Sequence, residues 1–410
     1  MNNNLKNNID YLKEHYNKFI YPKPIEDIQK EIIDKKSHYY TDPTYYWHKI
    51  WPEKKFSLNK LSILVAGCGT NQAAVLAMQN PNHEIVGIDL STNSVEHHKK
   101  LIKKHEIKNI KVFCDDFRKI NFNKKFDYII SSGVIHHLDD PNTALKYFYE
   151  NIKDDGVISI MVYGNKAIGP LNELKKIFFK IGLDQDQKSI DLIKEFFNNF
   201  NQDHPASVFY NKSGDIKFDE GIVDFILHKS EKFYQIKDFI KILDNNNLII
   251  KNFHDSNIQS LTKYFLKTPE LLKKIRSLSI EDQLEFGQIL NWNDHRISVF
   301  CSKKNNLKKS FVYSRPSIED LFVCYRDGTS YEISNNNFMI RLESGEKYYF
   351  NVMINDSIIW NLVFSGKIKL NKLFSMYPIS QKEIIKNFFL IMIENNFIDC
   401  SLHNVEINRL

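Results

Sequence analysis

Arginine is scarce in this chain of 410 residues, and long apolar runs are missing from it. Only seven of the 56 basic residues are arginines, although proteins that read nucleic acid favour the forked guanidinium group. The formal charge of +6 would suit an anionic partner, but lysine supplies nearly all of it, so nucleic-acid binding is not expected. The longest apolar run, FFLIMI, falls well short of the roughly 20 residues of a membrane span. The sequence therefore predicts no membrane partner.

Cysteine is also sparse, and its pattern argues against disulfides and metal centres. The five cysteines form no CxxC pair and their number is odd, which disfavours a disulfide framework. No group of histidine, cysteine and aspartate has the spacing of a metal site. The N-terminal sequence MNNNLKNNID lacks the basic and then apolar pattern of a secretion signal. These absences predict a soluble, cytoplasmic protein without a metal.

A third glycine is missing from the glycine-rich turn of the sequence. The segment LSILVAGCGTN is an apolar run that ends in Gly67 and Gly69, and a second run, HEIVGID, ends at Asp89. This order describes a strand, a turn, a helix and a second strand, a unit that binds nucleotides at the helix N-terminus. A dinucleotide fingerprint would place its late glycine at position 72, which is Gln72 here. Asn71 is the expected left-handed residue of this turn.

Strands and helices alternate after this turn. Apolar runs that do not alternate with polar residues are typical of buried parallel strands with helices on both faces. The runs predict strands at 61–66, 84–89, 110–114, 126–131 and 156–163, and helices at 71–79, 92–105 and 142–152. A later series predicts a helix at 235–245, a strand at 247–253, a helical stretch at 268–290 and a strand at 295–302.

The motifs between residues 61 and 163 occur in the order of a known family. AGCGTN matches its first glycine motif, GIDLS the acid after its second strand, and VFCDDF the acidic segment after its third strand. FDYIISSGVIHHLDDP matches the fourth-strand motif, and LKYFYENIKDDGVISIMVYG matches the next helix and strand. The chain thus resembles the class I S-adenosylmethionine-dependent methyltransferases, and does so more weakly to about residue 303. The resemblance implies an α/β, Rossmann-like, seven-stranded mixed sheet with helices on both faces, and S-adenosylmethionine as cofactor.

The resemblance also implies roles for individual residues. Asp89 would accept hydrogen bonds from the ribose hydroxyls of the cofactor. Asp116, or its rival Asp115, would bind the exocyclic amine of adenine, with Phe117 packed beside the ring. The backbone near Ser132 would border the amino-acid end of the cofactor. The full cofactor-binding set is Gly67, Cys68, Gly69, Asn71, Gln72, Asp89, Leu90, Asp115, Asp116, Phe117, Ser132 and Gly133.

Histidines after the fourth strand are the candidate catalytic residues. His136 and His137 lie at the edge where ligands bind in open α/β folds, and imidazole titrates near neutral pH. They are expected to accept a proton or orient the substrate; alternatively, they cap the helix that begins near Pro141 and fix the loop. Asp224 and His228 lie four residues apart on a predicted helix and either reach the pocket or pair with each other.

Two other groups of histidines are not expected to act in catalysis. His97, His98 and His105 lie on a lysine-rich helix and are predicted to be exposed. Asp294, His295 and Arg296 would lie at the start of the last strand, which argues against a catalytic role for them.

Segments outside the alternating pattern are expected to shape access to the site. Residues 164–233 interrupt the pattern after the fifth strand, with helices near 171–181 and 187–199 and an irregular stretch from His204. Because they leave the carboxyl edge of the sheet, they are predicted to form a cap over the substrate. Residues 1–60 form a helical, aromatic lead-in, either a collar on the sheet edge or a lid.

Residues 304–410 are expected to form a separate accessory domain. A strand-rich piece with a turn at Asp327 and Gly328 precedes a helix, a short strand, two helices and a final strand. This order weakly resembles a winged-helix module. The methyltransferase domain is assigned to residues 61–303.

The function predicted from the resemblance is methyl transfer to a small-molecule acceptor in a capped pocket. One alternative is an acceptor on a peptide or protein presented by the C-terminal module, and another is a non-catalytic scaffold that binds the cofactor. Gln72 and the SSGVIHHL loop argue against a nicotinamide-dependent dehydrogenase.

Overall fold

The computed structural model describes residues 2–35, 41–57, 59–254, 258–259, 261, 268–291, 294–314, 316–334, 336–342 and 345–405. The helices are α1 Asn2–Lys18, α2 Ile28–Lys35, α3 Trp47–Ile50, α4 Gln72–Gln79, α5 Thr92–Lys104, α6 Pro141–Asn151, α7 Asn165–Lys180, α8 Gln187–Asn199, α9 Pro205–Lys212, α10 Asp219–Phe225, α11 Ile236–Asn245, α12 Pro269–Arg276, α13 Ile280–Leu290, α14 Ser357–Phe364, α15 Leu370–Ser375 and α16 Ile379–Glu394. The strands are β1 Ser62–Ala66, β2 Glu84–Asp89, β3 Ile110–Cys114, β4 Phe126–Ser132, β5 Ile152–Tyr163, β6 Leu248–Phe253, β7 Arg296–Lys303, β8 Phe322–Tyr325, β9 Ser330–Ser334, β10 Asn337–Arg341, β11 Lys347–Asn351, β12 Ser365–Lys369 and β13 Ile398–Ser401.

The first seven strands form one mixed sheet in the order β3-β2-β1-β4-β5-β7-β6. Strands β1 to β5 pair in parallel, whereas β7 pairs antiparallel with β5. The order reverses between β1 and β4, and ligands in open α/β sheets bind beyond the carboxyl ends of the strands at such a reversal. The α/β fold and seven-stranded mixed sheet predicted from the sequence are confirmed.

The antiparallel sense of β7 changes the expectation for the residues at its start. Tyr163 at the carboxyl end of β5 lies opposite Arg296. The start of β7 therefore lies at the ligand edge, and the reason given for excluding His295 is wrong. Its ring packs 5.5 Å from that of Tyr163 and 5.3 Å from that of Phe209, among the aromatic side chains of the cap. Trp292 and Asn293, which precede the predicted strand segment, lie outside the described residues.

The cap segment contains more helix than predicted. The stretch from His204, predicted to be irregular, holds α9 and α10. The His204 side chain accepts a hydrogen bond from the Ala206 backbone at 3.2 Å, and Pro205 occupies the first turn of α9, where its missing N–H has no consequence. Both helices are too short for periodicity to reveal them. Their apolar side chains join α7 and α8 in one core that includes Ile168, Phe178 and Ile193.

The chain divides into two compact units by its internal contacts. The first comprises residues 1–39, 59–248 and 291–303, and the second comprises 40–58, 249–290 and 304–410. The domain boundaries given by the sequence stay a prediction. Within the described residues, no helix is long and apolar enough to cross a membrane. All five cysteines are free.

The second unit has its own core and two small sheets. The sheets have the orders β11-β10-β9 and β12-β8-β13. The turn at Asp327 and Gly328 joins β8 to β9, which lie in different sheets. Trp360, Phe364 and Phe389 stack in a core with the buried face of α16. The predicted sequence of helix, strand, two helices and strand is present as α14 to β13, while the winged-helix resemblance stays a prediction.

Candidate active site

The glycine turn after β1 has a backbone that larger residues would not adopt. Gly67 and Gly69 have φ values of +77° and +56°, a region that L side chains rarely occupy. A Cβ on Gly67 would lie 2.3 Å from a methyl group of Val134. Asn71 has a φ of −149°, so the prediction that it is left-handed is wrong; it immediately precedes Gln72, the first residue of α4. The two glycines supply all the left-handed geometry of this turn.

Asp89 closes the turn from the end of β2. Its carboxylate accepts hydrogen bonds from the backbone N–H of Gly69 at 2.7 Å and of Ser91 at 2.9 Å. Burial raises the pKa of Asp89 to about 6, although these two N–H donors oppose the shift. Each carboxylate oxygen can accept a further bond. This geometry fits a diol, so the predicted ribose contact is sterically and chemically reasonable.

The two acids after β3 differ in their surroundings. Asp116 is buried and holds Arg118 through both carboxylate oxygens, with Oδ2 at 2.8 Å from a guanidinium nitrogen. Asp115 is exposed and accepts the backbone N–H of Asp116. Phe117 stacks on Phe148 with the ring centroids 5.4 Å apart. Because Asp116 is committed to an arginine, we favour its rival Asp115 for adenine recognition, and the assignment stays a prediction.

His136 and His137 form a short 3-10 helix with Ile135 just beyond β4, and both are buried. Burial holds the pKa of each imidazole well below its usual range, so both are neutral. The part of the alternative in which they cap α6 is wrong, because the Asp140 side chain caps that helix by accepting the N–H of Asn142. Preceding them, Gly133 has a φ of +73° and donates its N–H to Met161.

Residues 164–233 and the N-terminal helix bring further polar groups to this point. The His137 ring has a polar atom within hydrogen-bond distance of each nitrogen. Ser230 O lies 3.1 Å from Nδ1, and Tyr16 Oη lies 3.1 Å from Nε2. Tyr16 also donates to Asp224 Oδ1 at 3.0 Å. The Asp224 carboxylate thus meets the loop after β4 through Tyr16 rather than pairing with His228. His228 packs its ring 4.4 Å from that of His137.

Proton counting limits the states of this triad. A backbone carbonyl requires a proton on His137 Nδ1, and the phenol has one proton to place between Asp224 and His137 Nε2. Satisfying both contacts of Tyr16 needs one more proton, carried by either Asp224 or His137. Because burial keeps His137 neutral, both contacts of Tyr16 are satisfied only when Asp224 carries that proton.

A second buried group lies beside the triad. Glu231 Oε2 accepts from Lys175 Nζ at 2.5 Å, and the side chains are 1% and 7% exposed, respectively. Ring nitrogens of His136, together with Glu231 Oε1, have no hydrogen-bond partner among the described residues. None of Tyr16, Lys175 and Glu231 was a candidate from the sequence, because no local motif marks them.

The N-terminal segment that follows α1 lies over the glycine turn. Thr70 Oγ1 donates to Pro22 O at 3.0 Å, and Ser91 Oγ donates to Tyr16 O at 3.1 Å. A Cβ on Gly69 would approach Pro22 to within 2.9 Å. This part of the lead-in is therefore placed as a lid would be, next to the residues predicted to hold the cofactor.

The histidines of α5 are less exposed than predicted. His98 is fully buried and its Nδ1 lies 3.2 Å from Ser94 O. His105 accepts the backbone N–H of Ile28 at 3.1 Å, and His97 lies 2.8 Å from Ile25 O. The prediction that all three are exposed is wrong, because residues of the N-terminal lead-in pack on α5 and shield it from solvent.

Side chains distant in sequence approach one another closely enough to share a cation. The groups are His15 with Asp224 and His228, His136 with His137 and Glu231, and, in the second unit, His48 with Cys324 and Asp399. Lys175 forms an ion pair with Glu231, and Lys49 lies 3.1 Å from Asp399. In two of the groups a lysine ammonium would therefore compete with a metal ion for the carboxylate. The predicted absence of a metal rested on sequence spacing and stays a prediction.

Comparison with known proteins agrees with this geometry. A family described as a methyltransferase domain matches residues 58–181. The first unit contains a class I S-adenosylmethionine-dependent methyltransferase domain. The glycine cradle and Asp89 fit its cofactor, S-adenosylmethionine, because a Cβ would fill the turn and a carboxylate suits the ribose diol.

Relatives of known name match between 28% and 54% of the chain. The malonyl-[acyl-carrier protein] O-methyltransferase of Acetivibrio thermocellus is 21% identical over 54% of this chain and 76% of its own length. The corresponding proteins of Ilyobacter polytropus and Priestia megaterium are 26% and 27% identical, over 51% and 28% of this chain and over 80% and 42% of their lengths. The overlap thus ranges from under half to four fifths of these relatives.

One fold likeness extends across nearly the whole chain. The structure of PKMT2 from Rickettsia typhi superimposes with a TM-score of 0.66 at 16% identity, covering 89% of this chain and 76% of that protein. Its complex with AdoHcy gives 0.63 at 18% identity, over 88% and 76%. At this identity the likeness concerns the fold.

Proposed function

We propose that this methyltransferase transfers the methyl group of S-adenosylmethionine to an amine or hydroxyl of a small molecule held beneath the cap. The observation that carries the proposal is the largely buried cluster of Tyr16, His136, His137, Asp224 and Glu231 beyond the carboxyl end of β4. Such a cluster would hold a compact acceptor group away from water. The cofactor is already activated, so alignment of nucleophile and methyl carbon at about 3–3.5 Å is the main requirement.

The charges of the cluster favour a nucleophile that carries a proton. Lys175 is paired with Glu231, and Asp224 adds a second carboxylate, while burial keeps the nearby histidines neutral. A carboxylate acceptor, such as the malonyl group in the names of the relatives, would find no unpaired cation among these residues. An amine or hydroxyl would instead find acceptors for its proton.

A peptide or protein side chain is the second candidate acceptor. It is favoured by a cavity of about 270 Å³ within the second unit, lined by apolar residues such as Leu284, Phe311 and Leu390 and by the charged residues Arg276 and Glu394. A cavity of this kind could hold part of a polypeptide whose side chain is methylated. The cytoplasmic location and the winged-helix resemblance also remain proposals.

Labelled methyl transfer would test the acceptor class. Protein supplied with S-adenosylmethionine carrying a labelled methyl group is incubated separately with a set of small amines, alcohols and carboxylic acids and with a protein extract. We expect label in the amine or alcohol products and little in the carboxylic acids. Label only in protein would favour the second candidate, and cofactor binding without any transfer would favour a scaffold.

A further inference from the structure

Glu231 is a buried carboxylate in which one oxygen accepts a hydrogen bond and the other has no partner among the described residues. Oε2 meets Lys175 at 2.5 Å, whereas Oε1 has no hydrogen-bond partner among the described residues, although the side chain is only 1% exposed. Buried polar atoms nearly always have a partner. Oε1 is thus a place where a ligand group would be bound.

His136 lies close to Glu231 and has unused ring nitrogens. It is fully buried, and neither Nδ1 nor Nε2 has a partner within the described part of the chain. Ligating atoms of His136, His137 and Glu231 lie within 4.8 Å of one another. Two hydrogen bonds of about 2.8 Å each span such a distance, so one N–H or O–H group can bridge the imidazole and the carboxylate.

We infer that Glu231 is the catalytic base that receives the proton of the methyl acceptor, and that Lys175 positions its carboxylate. This role rests on the proposed function. As the acceptor attacks, its nitrogen or oxygen bonds to the methyl carbon, and the carbon–sulfur bond breaks. The electron pair goes to sulfur, giving S-adenosylhomocysteine, and the acceptor's proton goes to a carboxylate oxygen of Glu231. His136 orients the acceptor.

The surroundings of Glu231 suit a base that works near neutral pH. Burial raises the pKa of this carboxyl to about 8; Lys175 opposes that shift and Asp224 reinforces it. A general base is most effective when its pKa lies near the working pH. The titratable and charged groups that face it, from α1, α7, α10 and the loop after β4, are Tyr11, Tyr16, His136, His137, Lys175 and Asp224.

Glu231→Gln tests the role directly, because it keeps the size of the side chain and removes its basicity. We expect turnover to fall at least about a hundredfold, the range for loss of a general base, with unchanged affinity for S-adenosylmethionine by calorimetry. The matched control is Glu173→Gln, in the exposed pair of Glu173 and Lys176 on α7. Glu231→Gln leaves the buried Lys175 ammonium without its counter-charge. If that variant does not fold, the double variant Lys175→Met with Glu231→Gln, which removes both charges, replaces it.

Lys175→Met gives a readout that a structural role would not move. Without the ammonium the pKa of Glu231 should rise further, so the pH at which the rate reaches half its maximum should move upward by at least about one unit. Lys176→Met should leave the profile in place. Wild-type transfer that persists in Glu231→Gln, or an unmoved profile in Lys175→Met, would overturn this role alone. No transfer by the wild-type protein to any acceptor would overturn the proposed function as well.

Discussion

The predicted cofactor side and the proposed acceptor side of the site are built in different ways. The cofactor side comes from short segments that each end a strand, with Gly67, Gly69 and Asp89 held by backbone hydrogen bonds. The acceptor side joins Tyr16, Lys175 and Glu231, which are far apart in the sequence, through side-chain contacts. Backbone geometry can be recognised in a sequence, whereas a cluster of distant side chains is visible only in the fold.

Substitution of Gly67 should have the largest effect on stability. Gly67→Ala combines a positive φ with a Cβ 2.3 Å from Val134, so we expect a loss of about 2–5 kcal/mol in the free energy of unfolding. Gly182→Ala is the matched control, because its φ is +88° but nothing lies within 4 Å. Gly182→Ala should lower the free energy of unfolding only by the cost of the left-handed backbone, about 1–2 kcal/mol. Denaturant unfolding would measure both, and equal losses would show that the clash with Val134 is relieved.

Asp89→Ala should weaken the cofactor side without disturbing acceptor chemistry directly. Losing the charge-assisted hydrogen bonds to the ribose should reduce affinity for S-adenosylmethionine by about 1–3 kcal/mol. Asp89→Asn separates charge from hydrogen bonding, and Asp203→Ala serves as an exposed control. Calorimetry would measure each affinity. Unchanged binding by folded Asp89→Ala would remove this residue from the cofactor site.

Tyr16→Phe should act on the acceptor side alone. The substitution removes the hydroxyl that joins His137 to Asp224, leaving buried polar atoms without this partner. We expect the free energy of unfolding to fall by about 1–3 kcal/mol and turnover to fall while cofactor affinity holds. Tyr349→Phe, at a side chain that is 71% exposed, is the control. A fall in cofactor affinity would show that the two sides are coupled through α1.

The same contrast explains how much the sequence could predict. Strands β1 to β7 were found because each is an apolar run, and the bounds of α4, α5 and α6 differ little from those predicted. Helices α9 and α10 were missed because short segments carry too little periodicity. Glu231 was missed because its proposed role depends on its burial and on its contacts with Lys175 and His136, which are distant in sequence. The place of His295 at a strand start argued against a catalytic role, but β7 is antiparallel to β5 and begins at the ligand edge.

The pH dependence of cofactor binding is the smallest expected effect, and it isolates Asp89. Because its pKa is raised to about 6, a growing fraction of the free protein is protonated there as the pH falls through 6. In the predicted contact the ribose hydroxyls donate to the ionised carboxylate, so binding S-adenosylmethionine would expel that proton. Affinity should therefore decrease from pH 7 to pH 5 by about tenfold, or about 1.4 kcal/mol. Calorimetry on wild type and Asp89→Asn would measure this, and an equal decrease in both would assign the effect to another group.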